Sequence, residues 1–244
     1  MANIDNIHRE EVAIAAAGGL RDGFSGERAR DLLTRFAVAL WFMVQAVNFV
    51  RDIAERLGAA GWLDLNALTA AQLLSRTCLF FFFTLIAWLT LVRSRPVAQA
   101  PGVQPRVSAL LGAYLLYFLP FLPEHEDLDL IWSLVSSALI VTGNIFALLI
   151  LTRLGRSFSI MAEARKLVVS GPYAVIRHPL YLAEQLALVG AYIQFASPAA
   201  TLLIAAQFAF QIQRMRNEEA VLLRSFPDYA PYMARTSRLI PGVW

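Results

Sequence analysis

Charge is scarce in this chain of 244 residues: only 16% are Asp, Glu, Lys or Arg, against 58% hydrophobic. A water-soluble domain carries nearer a quarter charged residues, so this chain lacks the polar surface to cover itself in water and reads as a membrane protein. Cysteine is almost missing. With Cys78 alone, an intramolecular disulfide and a thiolate metal cluster are both excluded. Histidine stops at His8, His125 and His178, on different segments, and no metal site follows from them. The positive excess is only +3, too small for a nucleic-acid binder. The N-terminal region up to Arg35 mixes charges and has no uninterrupted apolar core beside a small-residue cleavage site, so no signal peptide is expected.

What is present is long apolar runs. Residues 36–57, 72–92, 107–122 and 128–152 are each long enough for one bilayer crossing. The run from Pro179 to Gln213 is different, because as one helix it would extend roughly 52 Å against a hydrocarbon core of about 30 Å. It must fold back. Ser197-Pro198 lies near its middle, and a proline there removes a backbone donor and restricts the residue before it. The expected fold is therefore an all-α integral membrane protein of about six transmembrane helices, the last two a short helical hairpin, with a loop before the hairpin and a C-terminal tail after it. Three regions follow: a cytosolic or interfacial arm over 1–35, interrupted at Gly18-Gly19; a four-helix transmembrane region over 36–152; and a loop, hairpin and tail over 153–244. The stretch Pro96 to Pro105 reads as a plain linker.

Basic residues orient this arrangement. Of the 21 Lys and Arg, all but Arg51, Arg56 and Arg76 fall on one predicted face, and Glu124-His125-Glu126-Asp127 supplies acid on the other. Positive loops stay cytoplasmic, so both termini are expected there and the basic balance is a mark of multi-pass topology.

The fold-back brings two polar clusters together. One is Gly171-Pro172-Tyr173 followed by Arg177-His178-Pro179 and Tyr181; the other is Arg214 with Glu218 and Glu219. Pro179 suits the first turn of a helix, which puts Arg177 and His178 at the positive end of its dipole, where an anion belongs. Twin carboxylates offer the complement, since they accept hydrogen bonds from a sugar diol or an ammonium group. S-adenosylmethionine carries a carboxylate, an ammonium and a ribose, and so matches both clusters. Gly171 and Pro172 would turn the loop sharply beside it. Each part also has a plainer reading. Arg177-His178 serves equally as an interface anchor, Arg214 and Glu218 as an i,i+4 pair, and the tyrosines as belt residues. Glu184 lies one turn inside the fifth span, at a depth where an ionisable group is a functional candidate or a snorkelling one.

At these residues the sequence resembles the isoprenylcysteine carboxyl methyltransferase family and, more loosely, the phospholipid methyltransferases. The resemblance runs from about Thr152 to Pro241. It is carried by Leu154-Gly155-Arg156-Ser157-Phe158-Ser159, Lys166-Leu167-Val168, Ser170 to Tyr173, Arg177-His178-Pro179 with Tyr181, Glu218-Glu219 with Leu222, and Phe226 with Tyr229 and Tyr232. It implies an integral-membrane methyltransferase that uses S-adenosylmethionine without a soluble Rossmann domain. It places cofactor binding on Gly171, Pro172, Tyr173, Arg177, His178, Pro179, Tyr181, Glu218 and Glu219. Arg165 departs from the pattern, standing where the family commonly has histidine, and Pro227 stands where a glycine usually follows the phenylalanine.

The expected activity is methyl transfer to a lipophilic or membrane-partitioned carboxylate, amine or thiol at the cytosolic interface. The acceptor enters from the bilayer among membrane lipids; nucleic acid and metal are not expected partners. Arg214 is the candidate for orienting an anionic acceptor and Glu184 the candidate base for an amine or thiol. Two alternatives stay open: an NADPH-dependent oxidoreductase resembling membrane sterol reductases, and a non-catalytic lipid-binding protein.

Overall fold

The computed structural model describes residues 4–60, 66–125 and 128–242, with side chains from Ala29 onward except at 59–60. The chain is a helical membrane protein. Its helices are α1 (Ile4–Ala60), α2 (Ala67–Val92), α3 (Gln104–Tyr114), α4 (Leu130–Leu154), α5 (Pro179–Phe195), α6 (Pro198–Ser225) and α7 (Tyr229–Arg235). A 3-10 helix follows α3 over Leu115–Phe121, and two two-residue strands, β1 (Ala98–Gln99) and β2 (Glu163–Ala164), pair antiparallel.

Among the described residues, three helical stretches are long and apolar enough to cross a bilayer: Ala29–Gly58, Ala67–Val92 and Leu130–Ser157. Their large apolar side chains point outward, with Leu33 69%, Leu40 66% and Ile131 73% exposed, as lipid-facing positions require. The apolar run expected to cross at 107–122 takes another form. Pro120 lies inside it, and a proline both lacks the amide donor and pushes its predecessor off α geometry, so the helix stops at Tyr114 and tightens into 3-10 turns.

Helix α1 passes the expected boundary at residue 35 unbroken; most of the arm expected over 1–35 has side chains outside the described set. Arg35 is instead a tie. Its guanidinium donates to the carbonyls of Leu91, at 3.3 Å, and Arg93, at 2.7 Å, filling carbonyls that the end of α2 leaves open. The acidic turn at 124–127 is described only to His125.

Helices α4 and α5 pack closely because glycine lets them. A β-carbon on Gly143 would stand 2.5 Å from the Ala187 nitrogen, and one on Gly190 would stand 2.6 Å from the Ser136 oxygen. Small residues at the contact are how helices approach in a bilayer, where burial against lipid gives little drive. The Ser136 hydroxyl fills the gap by donating to the Gly190 carbonyl at 2.8 Å, and the Gln194 amide donates to that hydroxyl at 2.7 Å.

Between α5 and α6 only Ala196 and Ser197 intervene, and the Ser197 hydroxyl caps α6 by accepting from the Ala200 amide at 3.1 Å. Side chains then pair across the two helices in antiparallel order. Gln185 donates to Gln207 at 3.3 Å, Gln211 to Glu184 at 3.0 Å, and the Tyr181 hydroxyl to Glu218.

The stretch 96–105 is no free linker. Ser94 donates to the Arg156 carbonyl at 2.9 Å, Val97 to Ala164 at 2.7 Å and Ala100 to Ala162 at 2.9 Å. These bonds fasten the segment after α2 to the segment after α4, and so position one wall of the site.

Candidate functional site

The segment leading into α5 is set by local turns and by the tail. Gly171 adopts φ +64°, a left-handed conformation that glycine takes without strain, and starts a 3-10 turn over Gly171–Ala174. Residues 176–178 then run beside the tail. The Arg177 amide donates to the Ser237 carbonyl at 2.9 Å and the His178 amide to the Arg238 carbonyl at 3.0 Å. The Tyr232 hydroxyl, on α7, donates to the Tyr173 carbonyl at 2.7 Å. The tail thus holds the loop in place through its backbone.

Around this frame lies a cavity of about 110 Å³. Its walls come from the segment after α4 (Ser159, Glu163, Arg165), the entry to α5 (Tyr173, Arg177, His178, Tyr181), α6 (Arg214, Glu218) and α7 (Tyr229, Tyr232). Of the residues expected at a site, Tyr173, Arg177, His178, Tyr181, Arg214 and Glu218 are on its walls. Gly171, Pro172 and Pro179 shape the chain next to it, Glu219 is bonded by the wall residues Arg177 and His178 without itself lining the cavity, and Glu184 lies deeper between α5 and α6, where Gln211 donates to it.

The adjacent carboxylates separate by partner. Glu219 accepts from Arg177 Nε at 2.8 Å, from Arg238 Nη2 at 2.6 Å, and lies 3.2 Å from His178 Nε2. Arg177 also donates to the carbonyls of Met233, at 3.0 Å, and Thr236. Burial pushes the Glu219 carboxyl up, but the bonds from His178, Arg238 and Arg177 outweigh it and hold the group well below the usual carboxylate range. It is an anion fixed by its own chain.

Glu218 is the carboxylate on the cavity. It accepts from Arg214 Nε at 3.1 Å and from the Tyr181 hydroxyl, and its Oε2 is 4.0 Å from His178 Nδ1. The His178 and Tyr181 rings stack at 5.3 Å with 9° between planes, and the Arg214 guanidinium lies 4.9 Å from the Tyr181 ring centre. Arg214 Nη2 also donates to the Ser159 carbonyl at 3.3 Å. The guanidinium, imidazole, phenol and carboxylate therefore come from two helices and one loop to a single corner. On the tail wall, burial pushes the Tyr232 hydroxyl up to about 12, so it remains a neutral donor.

Sequence reasoning assigned nothing to Glu163 and recorded Arg165 only as a departure, yet both line the cavity and pair with each other. Ser159 Oγ donates to the same Glu163 oxygen at 2.6 Å. Burial draws Arg165 below its ordinary value and Glu163 partly restores it. A charged pair two residues apart in a loop has no periodicity to announce it; only the pairing of β1 with β2 turns this segment inward.

Comparison with known proteins matches the part of the chain that carries most of these residues. The family model described as phospholipid methyltransferase matches residues 132–228, from α4 to the end of α6. The cobalt-zinc-cadmium resistance protein CzcN of Cupriavidus metallidurans is 38% identical over 76 residues, 31% of this chain and 35% of that protein. The nickel-cobalt-cadmium resistance protein NccN of Alcaligenes xylosoxydans xylosoxydans is 30% identical over 158 residues, 60% of this chain and 72% of that protein. The match thus spans about a third of the first relative's length and nearly three quarters of the second's. With a matched segment that contains His178, Glu218 and the helices carrying them, the chain belongs to the phospholipid methyltransferase family, in the isoprenylcysteine carboxyl methyltransferase-like group of integral-membrane methyltransferases.

Proposed function

We propose that the chain transfers a methyl group from S-adenosylmethionine to a lipophilic or membrane-partitioned acceptor at the cytosolic interface. The observation that carries this reading is the corner of His178, Tyr181, Arg214 and Glu218, placed where α5 begins and the last turns of α6 run beside the tail. The donor set fits the cofactor chemically: a carboxylate for a ribose diol, aromatic walls for a base, and cations for a carboxylate. When bound, the cofactor supplies a methyl group already activated on a sulfonium.

What remains for the protein is orientation and exclusion of water. Glu218, held by Tyr181 and Arg214, is the group for the ribose. His178 is fixed by Glu219 on one side and stacked on Tyr181 on the other, so its ring cannot turn away from the cavity. Arg214, 5% exposed and bonded to Glu218, is positioned to orient an anionic acceptor. Glu184, one turn deeper, is the base for an amine or thiol acceptor. The acceptor reaches them from the bilayer. The full topology belongs to the same reading: about six crossings, with α5 and α6 as the closing pair and both termini cytoplasmic, supported by the distribution of basic residues.

The two relatives are named for resistance to cobalt, zinc, cadmium and nickel. Carried to this chain, that setting points to a membrane component methylated under metal stress. The test is direct. Detergent-purified protein is incubated with methyl-labelled S-adenosylmethionine and lipid extracts from cells grown with and without those ions. Label entering a lipid fraction supports the reading. Thermal stabilisation by NADPH and none by S-adenosylhomocysteine refutes it.

A further inference from the structure

The helix end at Arg177-His178, the natural place for a ligand carboxylate by sequence, is already neutralised: Glu219 takes bonds from both residues. A cation with unused donors lies on another part of the cavity wall. Arg165 is 8% exposed, its Nη2 donates to Glu163, and its Nε and Nη1 are buried with no hydrogen-bond partner. A guanidinium has five N–H donors, and leaving charged donors buried and unpaired is among the costlier arrangements a fold can contain. Its surroundings do not relieve it. Arg35 and Arg93 nearby share Asp31, so three guanidiniums are set against the two carboxylates of Asp31 and Glu163.

We infer that Arg165 and Glu163 together form the corner that receives the zwitterionic amino-acid end of the cofactor, its carboxylate on Arg165 and its ammonium beside Glu163. The inference rests on the S-adenosylmethionine reading and adds an orientation to it. A planar guanidinium fork matches a carboxylate in a way an ammonium or imidazole does not. The Glu163 carboxylate, bonded by Ser159 and Arg165 through one oxygen, stands next to that fork. With the amino-acid end there, the ribose faces Glu218 on the α6 wall of the same cavity. The β1–β2 ladder, which includes Glu163 and ends next to Arg165, keeps the corner in position.

The test compares S-adenosylhomocysteine with its decarboxylated counterpart, S-adenosyl-3-thiopropylamine, by calorimetric titration of the full chain in detergent. Wild type should bind the carboxylate-bearing ligand roughly 10- to 100-fold more tightly, the range for a charge-assisted pair. Arg165→Gln should bind both ligands alike, near the wild-type affinity for the decarboxylated one, and Arg165→Lys should restore part of the difference. Wild-type affinities within about threefold of each other, or full discrimination retained by Arg165→Gln, would overturn the assignment. If Arg165→Gln does not fold, the wild-type comparison decides alone. Binding of neither ligand by wild type defeats the cofactor reading itself, whereas tight binding without discrimination defeats only the Arg165 corner.

Discussion

Glu218 and Glu219 are consecutive on α6 and answer to different partners: Glu219 closes a buried knot with Arg177, His178 and Arg238, while Glu218 faces the cavity with Tyr181 and Arg214. Different phenotypes follow. Glu219→Gln removes the anion that Arg177 and Arg238 bond and should lower unfolding stability by about 3 kcal/mol. Glu218→Gln removes the anion beside the buried Arg214, should lower stability comparably, and in addition should weaken S-adenosylhomocysteine roughly tenfold or more. Thermal melts and titrations on both variants check this; equal losses of S-adenosylhomocysteine affinity would remove the distinction.

The same knot gives a signed pH dependence. Glu219 has a folded-state pKa held below its ordinary 4.5, so its contribution is complete above that value and is lost as pH falls below it toward the depressed folded value. Melting curves from about pH 7 down to about pH 3 should show wild type losing stability on the acid side more steeply than Glu219→Gln. Parallel curves would mean the knot does not govern acid stability.

Tyr181 can be divided into ring and hydroxyl. Tyr181→Phe keeps the stack on His178 and the surface under Arg214 but removes the bond to Glu218. The expected cost is about 1.5 to 3 kcal/mol, since the lost bond is to a charged group. Tyr181→Ala also empties a buried aromatic site and should cost about 3 to 5 kcal/mol. Denaturation in detergent that ranks the two alike would contradict this division.

Glycine packing between α4 and α5 makes a separate forecast. Gly143→Ala drives a β-carbon to 2.8 Å from the Ala187 β-carbon, with backbone of α5 closer still, so the helices must part. The loss should reach about 1 to 3 kcal/mol or more. Gly58→Ala, in a helix with nothing within 4 Å of the new carbon, should be neutral or stabilising by about 0.5 to 1 kcal/mol. Comparative melts of the two variants test the contrast.

Much of this arrangement was legible beforehand because its signals are local or periodic. Three long apolar helices stand where hydropathy put them, and Ser197 caps the helix that Pro198 begins. Arg177-His178 and Glu218-Glu219 do meet, since the short link between α5 and α6 brings their far ends together. Other features carry no such signal. The division between Glu218 and Glu219 depends on Arg238 arriving from the tail. The run at 107–122 has the hydropathy of a span, and only Pro120 betrays its change to 3-10 geometry. Arg35 reads as one more cytosolic positive charge, yet it closes the end of α2. The inward turn of Glu163 and Arg165 depends on a strand pair too short to leave any alternation in the sequence.

That two-residue ladder also limits how the protein can be taken apart. Because Val97 and Ala100 bond the very segment that carries Glu163 and Arg165, the first half of the chain supplies part of the mould for the second. A hybrid that grafts another protein's leading helices onto this C-terminal part would arrive with a foreign edge at this joint, and its pocket would take the donor's outline before any of its own side chains had been changed.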